Sequence, residues 1–166
     1  MSNCFTQICS AALLAFSLMA ASAQAAHAEG VKPAVSASGV IVTRSAYGTE
    51  ETVERLKKDI AAKGITFFQE IDQAALAAKA SISLRPSVLL ICGNPPLGTQ
   101  FITANPQAGL DWPVRMLVYR DEAGAVWVAY TDFGWIAQRH GVTSRDAQFH
   151  MASEVAASIA ASVSAR

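Results

Sequence analysis

Charge is missing from the start of this chain: no Lys, Arg, Asp or Glu occurs in the first 28 residues. It is sparse elsewhere, at 16% of 166 residues, and 13 basic side chains are matched by 13 acidic ones. That balance leaves no electrostatic footprint for nucleic acid or an anionic membrane surface, so neither is an expected partner. Cysteine is equally scarce, with only Cys4, Cys9 and Cys92. No C-x-x-C-H occurs, which excludes covalent haem attachment, and no G-x-x-x-x-G-K-[ST] occurs, which excludes the common phosphate-binding loop. His140 and His150, ten residues apart and far from Cys92, match no metal-ligand spacing. No apolar run reaches the roughly 20 residues that a membrane-spanning helix needs.

What the uncharged start does contain is an apolar run from Ala11 to Ala21, followed by small residues. A-x-A triplets occur at Ala21-Ser22-Ala23, Ala23-Gln24-Ala25 and Ala26-His27-Ala28. Residues 1–28 therefore read as a secretory signal, oriented by the terminal amine alone because no basic side chain precedes the run. Its removal predicts a periplasmic or secreted protein with no stable membrane span. Cys4 and Cys9 leave with it, so Cys92 stands alone and no intramolecular disulfide can form. Residues 29–38, aperiodic and rich in small side chains, read as a tether to a single domain over residues 39–166.

Within that domain, Val40 to Thr43 is β-branched and predicts a first strand. Thr49 is positioned to cap a helix that carries Val53, Leu56 and Ile60 at helical spacing and closes at Gly64. Ile65 to Ile71 reads as a second strand, and Asp72 as the cap of an alanine-rich helix to about Lys79. Val88-Leu89-Leu90-Ile91-Cys92 is apolar on both alternating faces and predicts a mid-sheet strand. The turn-forming Gly93-Asn94-Pro95-Pro96-Leu97-Gly98 follows, with Thr99 capping a short helix through Ala104. Val114 to Arg120 and Ala125 to Tyr130 flank Asp121-Glu122-Ala123-Gly124 as a hairpin, and Phe133 to Gln138 forms a helical turn. A final helix from about Ser144 aligns Met151, Val155, Ile159 and Val163 on one stripe beside Ala152, Ala156 and Ala160. The order β-α-β-α-β-α-β-β-α predicts an α+β, two-layer sandwich with a mixed, largely antiparallel sheet covered by helices. Met116 and Val118 share one face of the hairpin while Leu117 and Tyr119 share the other. Two greasy faces under one helical layer predict a homodimer.

Chemistry is thinly signalled. Cys92 has intrinsic reactivity, but no neighbour in sequence supplies a base or a positive charge, and its apolar flanks favour a buried core thiol. Gly93 to Thr99 is a candidate anion-binding turn at a helix start. Asp72 and Asp111 are possible acids or bases that more naturally cap backbone. Glu70 and Asp72 share a strand face as a solvated pair. Trp112, Trp127, Trp135 and Tyr130, if they met the Asn94 turn, would wall a pocket for a small apolar or planar ligand. The expected ligand-binding set is thus Asp72, Cys92, Asn94, Gly98, Thr99 and Asp111, with no catalytic residue, no metal ligand and no cofactor assigned.

Three segments, Ile71-Asp72-Gln73-Ala74-Ala75, Leu90-Ile91-Cys92-Gly93-Asn94-Pro95 with Gly98-Thr99, and Leu110-Asp111-Trp112-Pro113, resemble the domain-of-unknown-function family numbered 302 in order and spacing. The similarity spans about Thr49 to Val142. It implies a small α+β fold with no established activity and no catalytic residues to carry over. Many members have His after the Asp of the first motif; Gln73 stands there in this chain. Three readings follow: a non-catalytic ligand-binding or accessory domain, a small enzyme using Cys92 with Asp72 or His140 as helper, or a structural homodimer acting through a sheet face.

Overall fold

The computed structural model describes residues 35–165. The expected signal over 1–28 and the first part of the tether lie outside those residues. From Ser36 onward the chain is tied to the first strand: Ser36 N donates to Val40 O at 3.0 Å, and Val40 N donates to Ser36 Oγ at 3.0 Å.

Five strands, β1 (Val40–Arg44), β2 (Thr66–Asp72), β3 (Ser87–Gly93), β4 (Val114–Arg120) and β5 (Val126–Thr131), form one sheet in the order β1-β5-β4-β3-β2. All four pairings are antiparallel, so the α+β layered fold holds with a sheet more uniform than mixed. The middle place belongs to β4; β3 lies one position toward the β2 edge. Five α-helices, α1 (Thr49–Ala62), α2 (Gln73–Lys79), α3 (Pro95–Ala104), α4 (Phe133–Arg139) and α5 (Asp146–Ala161), accompany it, with a 3₁₀ turn at Pro106–Leu110.

Register explains the two faces. Leu90 pairs with Met116, Met116 with Tyr130, and Tyr130 with Ile41, so all four project to one side, where Val118 and Val128 join them. Leu90, Met116, Val118 and Val128 are fully buried beneath Leu56 and Ile60 of α1, Phe101 of α3, Phe133 and Ile136 of α4 and Phe149 and Ile159 of α5. Each such side chain contributes about 1.5–3 kcal/mol by leaving water. On the opposite face Ile71, Leu89, Leu117, Ala129 and Val42 stand opposite one another across all five strands. This face is less deeply covered: Ala129 is buried, Ile71, Leu89 and Leu117 are partly buried, and Val42 remains 36% exposed.

Several local expectations need correction. Gly48, not Thr49, is the N-cap of α1; Thr49 is the first helical residue and is buried, its Oγ1 without a partner. The C-terminus of α1 does close on Gly64, at φ +66°, with Gly64 N donating to Ala61 O and Ile65 N to Ile60 O. Thr99 caps nothing. The segment read as a turn is already the first turn of α3, capped by Asn94 Oδ1 accepting from Leu97 N at 3.2 Å, and Thr99 Oγ1 donates back to Pro95 O. The Asn-Pro-Pro order favours this, because proline suits the first helical positions. On α5 the buried stripe is Phe149, Ala152, Ala156, Ile159 and Ala160, while Met151 is 54% exposed. The helical period holds, and the buried face runs through Ala152 where the sequence pattern points to Met151.

Candidate functional site

The strand ends of β3 and β4 meet the start of α3, and the contact is built around Trp112. A Cβ at Gly98 would lie 1.8 Å from Trp112 Nε1 and one at Gly93 would lie 3.1 Å away. The indole therefore rests directly on the backbone of both glycines, which is why those two positions have no side chain. Phe68, a bulged residue on β2, meets the same ring edge-on at 6.2 Å between centroids.

Beneath this aromatic contact is a cavity of about 40 Å³, lined by Cys92, Asn94, Leu97, Phe101, Trp112 and Val155 among others. Its lining is almost wholly apolar, and Cys92 is its one titratable member among the described residues. That thiol is 2% exposed, and burial pushes its pKa up from 9.0 to about 11. At physiological pH it is a neutral thiol packed within the hydrophobic core. The anion-binding idea for the Gly93–Thr99 turn also loses its donors. Pro95 and Pro96 carry no N–H, and the N–H groups of Leu97 and Gly98 are bonded to Asn94.

A charged cluster adjoins this cavity, for Val114 and Phe133 line both the cavity and a smaller one at Asp111, Arg115 and Thr131. Asp111 is not a turn cap. Its carboxylate is buried and accepts from His140 Nε2 at 2.6 Å, from Arg115 Nη2 at 3.1 Å and from Arg139 Nη1 at 3.2 Å. His140 is itself buried, at the C-terminus of α4, and its carbonyl accepts from Asn105 Nδ2 at 2.7 Å. Both arginines are about half exposed, at 50% and 45%.

The structure thus brings Cys92, Asn94 and Gly98 together with Trp112, and sets Asp111 next to them. It leaves Asp72 elsewhere, capping α2 by accepting from Ala75 N at 2.8 Å, and Thr99 on the exposed side of α3. Glu70 is bonded to Lys57 of α1 at 3.1 Å. Of the aromatic group, only Trp112 lines the cavity: Trp127 donates to Asp121 Oδ2 at 2.7 Å, and Trp135 packs over Gly39. Arg115 and Arg139 were not anticipated. The one signal available was the spacing of Asp111 and Arg115, which spans the entry into β4.

The comparisons agree with this architecture. The crystal structure of an uncharacterized conserved protein DUF302 from Bacillus stearothermophilus superposes with a TM-score of 0.69 at 15% identity, over 75% of this chain and 98% of that one. That likeness shows the fold alone. In sequence, the chain is similar to the fluoride-specific ion channel FluC 1 of Brucella suis biovar 1, 36% identical over 105 residues, 63% of this chain and 41% of the relative. FluC 1 of Brucella abortus biovar 1 and FluC 2 of Brucella melitensis biotype 1 match at the same identity over 39% of their length. The chain therefore spans about two-fifths of these relatives. The family model described as domain of unknown function DUF302 matches residues 41–165, and the chain belongs to that family.

Proposed function

We propose that this chain is a non-catalytic ligand-binding accessory domain acting outside the cytoplasm, and that its ligand enters the cavity beneath Trp112. The observation that carries this reading is the cavity itself: apolar walls, a buried thiol that stays protonated, and an aromatic ring seated on two glycines at its edge. Apolar cavities of this kind are dry and accept apolar groups. An accessory role draws support from relatives named as fluoride-specific ion channels, in which the matching stretch is a minority of the protein. The uncharged, signal-like start supports a place outside the cytoplasm.

The test is titration of the full chain with pentanol while the indole N–H resonance of Trp112 is followed by NMR. A saturable shift confined to residues around the cavity is expected; an unmoved Trp112 signal, with residues elsewhere responding, contradicts the reading. The row of Ile71, Leu89, Leu117, Ala129 and Val42 favours a second role, self-association through the uncovered face. Light scattering at high micromolar concentration is expected to report a dimer, and a monomer removes that role.

A further inference from the structure

We propose that the ligand is a short-chain carboxylate, its tail in the cavity beneath Trp112 and its head on the Arg115–Arg139 pair; this rests on the cavity reading above. The cluster carries more cation than its own anion requires. Asp111 is one carboxylate, yet it meets two guanidinium groups besides His140. Arg115 and Arg139 have no other acidic partner among the described residues. Each guanidinium has five N–H donors, and Asp111 engages one terminal nitrogen of each. Both guanidinium groups converge on Oδ1 of the same carboxylate, and both side chains are about half exposed. Arg139 is further held by Trp135, whose ring centroid lies 5.5 Å from its Cζ.

Paired, pre-positioned guanidinium groups match the planar, two-oxygen geometry of a carboxylate. Anchoring both arginines to a buried aspartate removes much of the side-chain entropy cost that such a contact otherwise carries. The apolar cavity lies alongside, sharing Val114 and Phe133 with the space under Arg115. Its volume of about 40 Å³ admits about three water-sized groups, which is the bulk of a tail of three or four carbons. A long acyl chain does not fit.

The experiment is calorimetric titration of the full chain with pentanoate, pentanol and acetate. Pentanoate is expected to bind about ten-fold more tightly than either of the others, since each lacks one half of the recognition. In the doubly substituted R115Q/R139Q chain, folded by circular dichroism, pentanoate is expected to fall to the level of pentanol. Equal affinity of pentanol and pentanoate for the unaltered protein overturns the carboxylate assignment and leaves the cavity reading standing. Acetate binding as well as pentanoate overturns the tail placement, and failure of all three overturns the cavity reading with it. The unaltered protein decides these outcomes even if the double variant does not fold.

Discussion

The cavity under Trp112 and the cluster around Asp111 are neighbours that share two side chains, yet they use opposite physics. The first is apolar: burial holds its thiol neutral and its walls are packed by dispersion. The second keeps a buried carboxylate by surrounding it with donors, two of them reaching in from solvent. A buried charge is tolerable only when its hydrogen-bonding capacity is met, whereas a buried thiol needs nothing. The side chain with intrinsic reactivity is thus buried and protonated here, and the one that reads in sequence as a turn cap anchors a buried ionic cluster.

The contrast breaks first at Asp111. Asp111→Ala leaves His140 buried without its partner and sets two arginines beside each other, and it is expected to cost about 3–5 kcal/mol in chemical denaturation. A loss below about 1 kcal/mol would make the cluster a surface feature like any exposed ion pair.

The apolar side is tested by alkali. The folded state holds Cys92 near a pKa of about 11 against 9.0 for the free thiol, so the unfolded chain loses this proton first as pH rises. Stability is therefore unaffected below pH 9 and falls between about pH 9 and 11. The full drop is about 2–3 kcal/mol. Tyr130, raised from 10.0 to about 12 chiefly by burial, extends the decline in the same direction. Denaturation of Cys92→Ala across this range is expected to show the thiol's share of the decline removed; an unchanged slope would mean the thiol is solvated.

A smaller effect comes from the seat of the indole. Alanine is the better helix former by about 1 kcal/mol, so Gly98→Ala would stabilise α3 if space allowed. With Trp112 only 1.8 Å from the added carbon, overpacking wins, and a net loss of about 2 kcal/mol is expected with a displaced Trp112 indole resonance. The smallest change belongs to Arg139→Ala, where a half-exposed pair gives about 0.5 kcal/mol by the same denaturation assay. Its consequence should appear in carboxylate affinity and hardly at all in stability.

How much of this was legible in the residues depends on range. Strand alternation placed Met116 and Val118 opposite Leu117 and Tyr119, because the two-residue period is a local property, and Asp72 was recognisable as a cap because it acts three residues away. The joining of Cys92, Asn94 and Gly98 followed from their closeness in the chain. Asp111 reads as a cap in sequence because two of its three partners lie 28 and 29 residues onward, on a helix whose approach no local pattern encodes. Trp112 was grouped with Trp127 and Trp135 by sequence proximity, but strands and helices carry the three to different places. Thr99 is not the cap because Asn94 is the stronger cap and Pro95 starts the helix two residues after the end of β3, five residues earlier than a cap at Thr99 implies.

The most direct check on the account is the alkylation rate of Cys92 in the folded full chain at neutral pH, read by peptide mass mapping and compared with the denatured chain. The account predicts a native thiol that stays unmodified while the denatured one reacts to completion. Modification of native Cys92 as fast as in denaturant would show an open, ionisable thiol and contradict an apolar, non-catalytic site.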